Sequence, residues 1–171
     1  MKMLRFFLCC LIPYIFLAGC KTNQVEGAAE SAIRLPVGLD ALYVEVDGGR
    51  VSLFDGEDVA RLFYNRLLDT YPADVDSPRL VFRSVRQGIP AGATGVRVQL
   101  MRWELDRSNS IECQFSASLI IPGEEPVHLG LFSGTRFLLS ANTNRDIKKA
   151  YFSAGEQAAK KLWRRLPPAQ P

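Results

Sequence analysis

Histidine is almost missing from this chain, and usable cysteine is scarcer than it first looks. The 171 residues include one histidine, His128, and four cysteines, Cys9, Cys10, Cys20 and Cys113. Three of those cysteines lie within the first twenty positions. A zinc site draws its ligands mainly from Cys and His, so no metal centre of ordinary composition can be assembled and none is expected. An excess of one charge is also lacking. The formal charge of +3 falls to +1 without Lys2 and Arg5. A near-neutral body lacks the field that non-specific nucleic-acid binding needs, so no nucleic-acid partner is expected. No G-x-S-x-G elbow, phosphate-cradling P-loop or dinucleotide fingerprint occurs. No repeat of solenoid period is visible.

What the chain does have begins at its start. Lys2 and Arg5 form a basic n-region, and no acid precedes Cys20. Phe6 to Leu17 is an apolar run broken only by Pro13 and Tyr14. It is well short of the roughly 20 residues that span a bilayer core. Its length suits the h-region of a secretory signal peptide, which is removed before the protein works. Leu17-Ala18-Gly19-Cys20 follows, and all four positions match the bacterial lipobox, which this segment resembles. That resemblance implies cleavage before Cys20, a diacylglyceryl thioether on its sulfur, and acylation (with palmitate, for example) of its new amino group. Each buried methylene contributes about 0.8 kcal/mol, so several chains hold a protein where one would not. In the same lipoproteins of double-membraned bacteria, Asp after the cysteine favours the inner membrane. Lys21 stands here instead, which implies the outer membrane, with the domain on its periplasmic side.

With residues 1–19 removed, Cys9 and Cys10 are gone and Cys20 carries lipid. Cys113 is then alone in an oxidising compartment. Ile111, Cys113, Phe115, Ala117, Leu119 and Ile121 alternate with Glu112, Gln114, Ser116 and Ser118. A period of two puts Cys113 on the buried face of a strand, as a small core residue rather than a reactive thiol.

Residues 20–36 are polar and small without a period, and read as the lipidated cysteine and a flexible tether. Residues 37–171 form one domain, long enough for a core. Leu42, Val44 and Val46 mark a strand that turns at Gly48-Gly49 into a second one, RVSLF. A helix follows, with Asp55 as N-cap, Glu57 and Asp58 in the first turn, and an apolar stripe of Val59, Leu62, Phe63, Leu67 and Tyr71. Pro72 ends it. RLVFRSV is a short strand. VRVQLMRWELD, IECQFSASLII and VHLGLFSGTRFLL are longer ones, joined by RSNS and PGEEP. In the first of these the apolar phase slips: Val96, Val98 and Leu100 share one face, while Met101, Trp103 and Leu105 share the other. Such a slip predicts a β-bulge, or a strand covered on both sides, near Leu100. The last element is a helix capped by Thr143, with Asp146 three positions on. Its stripe is Ile147, Tyr151, Ala154, Ala158 and Leu162, flanked by Ala150 and Leu166, and Pro167-Pro168 stop it. The expected fold is α+β: a mainly antiparallel sheet of about five strands with both amphipathic helices on one face.

Candidate sites are few. Alternation sets His128 and Cys113 on opposite faces, so they form no catalytic pair. Glu124-Glu125 and Asp74/Asp76 read as solvated loop acids, and GATG and SGTR as glycine loops. No enzyme and no cofactor beyond the lipid on Cys20 are expected. The alternative is an envelope enzyme whose carboxylates converge on a cleft. Lys160, Lys161, Trp163, Arg164 and Arg165 crowd the end of the last helix. There cations complement the dipole, and they could meet anionic lipid, lipopolysaccharide phosphate or a partner protein. The lipobox, tether and order of elements over residues 40–166 resemble small envelope lipoproteins. These include the lipopolysaccharide-assembly lipoprotein that plugs an outer-membrane barrel, the auxiliary lipoprotein of ABC-type lipid transporters, and the lipoprotein activator of peptidoglycan synthases. The resemblance implies a membrane-anchored accessory or binding subunit in envelope assembly or lipid transport, with an envelope protein as partner.

Overall fold

The computed structural model describes residues 33–49, 58–73, 77–138 and 144–167. Seven elements follow in the order β1 (Ala41–Asp47), α1 (Val59–Thr70), β2 (Arg79–Ser84), β3 (Gly95–Leu105), β4 (Ser110–Ile120), β5 (Val127–Phe137) and α2 (Asn144–Arg165). The fold is α+β, with a five-stranded sheet in the order β2-β1-β3-β4-β5. Both helices contribute buried side chains to one core on one sheet face.

The sheet is mixed rather than mainly antiparallel. β1 pairs in parallel with β2 on one side and β3 on the other, while β3, β4 and β5 form the expected antiparallel meander. Parallel neighbours need a crossover that returns the chain to its starting end. α1 does this between β1 and β2. From β2 to β3 the chain returns through residues 85–94, crossing the sheet face opposite the helices. There, a Cβ built on Gly95 would stand 2.8 Å from Ile89 Cδ1, and one on Gly88 would stand 3.8 Å from Glu45 Oε2. This strap covers β1, and Glu45 beneath it is only 4% exposed. The expected strand RVSLF and the N-cap Asp55 lie outside the described residues. The described start of α1 is capped by Asp58, whose carboxylate accepts from Arg61 N–H at 3.2 Å. Asp58 is thus the cap rather than a first-turn residue. The expected cap Thr143 also lies outside the described residues.

The phase slip in β3 is a bulge. Leu100 pairs with Phe115, the next pair is Arg102 with Gln114, and Met101 is the extra residue. A bulge adds one residue to one strand, so every later side chain changes face. Trp103 therefore returns to the helical side and is fully buried, while Met101 stays 56% exposed. Its indole N–H donates to the Tyr151 carbonyl at 2.9 Å. Phe63 of α1 meets Trp103 and Phe115 edge-on, at 5.6 and 5.0 Å between centroids, a favoured aromatic geometry. A second bulge falls at Leu129, where Ala117 pairs with Gly130 but Ser118 pairs with His128. Gly130 has φ +117° there, a backbone state that disfavours other residues.

α2 packs unusually close to the sheet because the facing residues are small. Ala154, Gly155, Ala158 and Ala159 are buried along it, and Gly134 of β5 faces them. The core begins before β1: Leu35 is 3% exposed, and Ile33 N–H donates to Arg165 O at 3.2 Å. Ile33 and Leu35 thus pack with this core.

A Cβ on Gly134 would collide with the Ala154 carbonyl oxygen and the Ala158 backbone nitrogen. Gly134→Ala is expected to destabilise the domain by about 1–3 kcal/mol, the usual cost of overpacking. In a urea titration its midpoint should fall, whereas Met101→Ser at the exposed bulge should leave the midpoint nearly unchanged.

Candidate functional site

The side chains singled out in the sequence fall in three places. Cys20 and its lipobox lie outside the described residues, as do Asp74 and Asp76. Cys113 is fully buried on the helical face of β4, and it is a free thiol. Burial, with a smaller contribution from Glu112, pushes its pKa far above the ordinary thiol value. His128 is exposed on the opposite face, beside Ser118. The two therefore stand on opposite sides of the sheet, as alternation implies. Among the described residues, no group of three or more His, Cys, Asp or Glu is placed to hold a metal ion. Nor is any described helix long and apolar enough to cross a membrane.

SGTR is not a loop. Ser133–Arg136 lie inside β5, where Gly134 is needed for the approach of α2 rather than for a turn. Glu124 and Glu125 are exposed in the turn between β4 and β5.

The basic cluster at the end of α2 divides. Trp163 leaves it for the core, at 3% exposure. Its indole N–H donates to the Leu67 carbonyl at 2.9 Å and to Thr70 Oγ1 at 3.2 Å, and its ring meets Tyr71 edge-on at 4.9 Å. It joins the ends of the two helices. A position four after the buried Ala159 lies on the apolar side of the helix, which is why it turns inward. Lys161 reaches β5, where its ammonium donates to the Ser133 carbonyl at 2.7 Å. Lys160 and Arg164, one turn apart, are exposed and line a groove of about 220 Å³ with Thr70 and Pro72. Arg165 is half-buried where the first described residues meet the helix.

Two features escaped the sequence reading. On the face away from the helices, Glu45 accepts from Arg97 Nε at 2.7 Å, a buried carboxylate paired with a half-exposed guanidinium. No periodic signal marks it, because its burial comes from the strap over β1. At the other end of α2, Arg145, Ile147, Lys148, Tyr151 and Phe152 line a cavity of about 720 Å³. Phe152 lies beneath the guanidinium of Arg66, 4.6 Å from its ring centroid. The stripe rule assigned Ile147 and Tyr151 to the core. It could not show that this part of the helix borders an open concavity.

No family model matches the chain, and no curated protein matches it. Solved structures do resemble it. PelC from Paraburkholderia phytofirmans, solved as a dodecamer, is 15% identical, with a TM-score of 0.48 over 80% of this chain and 94% of that one. A DUF330 protein from Xanthomonas campestris is 10% identical, with a TM-score of 0.45 over 75% and 90%. A candidate lipoprotein from Caulobacter crescentus is 17% identical, with a TM-score of 0.39 over 71% and 83%.

Two outcomes follow from the geometry. Trp163→Phe keeps a ring but removes the donor to Leu67 and Thr70, and is expected to cost about 1–3 kcal/mol in urea unfolding. For Cys113, the folded pKa is raised above the unfolded value of 9.0. The stabilisation is therefore complete below about pH 9 and lost as pH rises beyond it, because only the unfolded thiol ionises there. A thiol reagent should modify Cys113 only on unfolding. Cys113→Ala should reduce the alkaline fall in stability.

Proposed function

We propose that this protein is a lipid-anchored envelope lipoprotein without enzymatic activity. It serves as an accessory or binding subunit in envelope assembly or in lipid or lipopolysaccharide transport. The observation that carries the reading is Leu17-Ala18-Gly19-Cys20, directly after a short apolar run with a basic start. Cys113 agrees with this reading. A thiol held in the core and kept protonated tolerates an oxidising compartment, because the thiolate is the reactive species. Support for the binding half comes from the start of α2, where Arg145, Lys148 and Lys149 border a cavity also lined by Ile147, Tyr151 and Phe152. Such a lining suits an amphiphile with an anionic head. Anchoring through Cys20 puts the domain on the membrane, and the absence of an Asp at position 21 favours the outer one.

The test is metabolic labelling with a fatty acid in a bacterial host, followed by membrane fractionation. The wild-type chain should incorporate label and sediment with outer membranes. The Cys20→Ala chain should incorporate none. Equal labelling of the two chains would refute the anchor.

A further inference from the structure

The anchored chain reaches the domain at a defined end. The hydrogen bond from Ile33 N–H to Arg165 O holds the first described residues against the last turn of α2. β1, β2 and β3 all start at this end, being parallel. α2 runs against β5, since Gln157 meets Thr135 and the later Lys161 meets the earlier Ser133.

Exposed groups at this end fit a lipid surface. Lys160 and Arg164 point outward from the last turns of α2, Arg34 is exposed beside the Ile33–Arg165 bond, and Val37 is 81% exposed. Arg and Lys pair with headgroup phosphate, and a small apolar side chain beside them can enter the interfacial region. Glu124 and Glu125, at the same end of the sheet, restrict such a contact to the helical layer.

Cations also stand at the opposite end of α2, where Arg145, Lys148 and Lys149 surround Asp146. Entry of the chain beside Arg165 favours the first end, which the tether from Cys20 reaches by the shorter path. The 22 residues of α2 span about 33 Å, whereas exposed charges act over a Debye length of about 8 Å at physiological salt. With the attached end at the surface, the far cations lie beyond the reach of headgroup charge.

Resting on the lipid-anchor reading above, we infer that this end of the domain docks on the anionic lipid surface of the membrane that holds Cys20. Arg34, Lys160 and Arg164 meet phosphate there, and the opposite end of α2 is presented away from the bilayer.

The experiment uses the full chain, produced in cells, purified from membranes and reconstituted into vesicles. These contain phosphatidylglycerol and phosphatidylcholine, or phosphatidylcholine alone. A fluorophore is placed at Val37→Cys or, at the β3–β4 turn, at Arg107→Cys, with Cys113 shielded by burial. Quenching by a headgroup-linked quencher is then compared. In anionic vesicles the probe at 37 should be quenched at least about threefold more than the probe at 107. Each cation near an anionic surface is worth about a fivefold factor. Lys160→Glu with Arg164→Glu should therefore reduce the ratio to that seen in phosphatidylcholine. Equal quenching at both sites, stronger quenching at 107, or a ratio indifferent to both headgroup and charge reversal would overturn the docking. The mass of the amino-terminal peptide reports acylation in the same sample. Acylated Cys20 with equal quenching defeats only the docking, whereas unmodified Cys20 defeats the anchor and the docking together.

Discussion

The extra residue at Met101 is the constraint on which the core depends. Without it, Trp103 would continue the alternation of Val98 and Leu100 and face away from the helices. With it, the largest fully buried side chain among the described residues returns to the helical face and touches every layer. It lies edge-on to Phe63 of α1, donates to the Tyr151 carbonyl of α2, and packs within 3.2 Å of where a Cβ on Gly155 would be. An indole N–H buried without an acceptor would be costly, so the bond to Tyr151 also fixes where α2 sits along β3.

The position of α2 then determines what happens at the β5 edge of the sheet. Its small residues bring it onto β5, and its polar side chains reach the backbone of that edge strand. Gln157 accepts from Thr135 N–H at 3.4 Å, and Lys161 donates to Ser133 O. On the other edge, Tyr64 of α1 donates to the Leu80 carbonyl at 3.2 Å, and Gln87 accepts from Ser84 N–H at 3.2 Å. Exposed strand edges invite pairing with other chains. These four side chains occupy backbone groups on both edges, so the helices and the strap protect the sheet as well as cover it.

Much of this fold was legible in the residues, and the reasons for success and failure are physical. β4 alternates cleanly, so its buried Cys113, Phe115, Ala117 and Leu119 could be read directly. So could the stripes of both helices, apart from Trp163, whose two hydrogen bonds to α1 depend on where α1 ends. The bulge was visible as a broken period. The parallel pairing of β1 was not, because hydrophobic alternation carries no strand direction and the crossover strap has no period. For the same reason the buried Glu45–Arg97 pair gave no signal. A carboxylate on the outer phase of a strand reads as solvated until a loop is laid across it.

The helical stripes and the buried thiol rest on local order along the chain: a 3.6-residue period and a two-residue period. Local order suffices because helices and strands each respond to neighbours only a few residues apart. The mixed sheet, the division of the basic cluster into core, edge and exposed members, and the end at which the chain joins the domain were decided only by tertiary structure. Each depends on contacts between segments far apart in the chain. Ile33 and Arg165 acquire their relation only when α2 settles on the sheet.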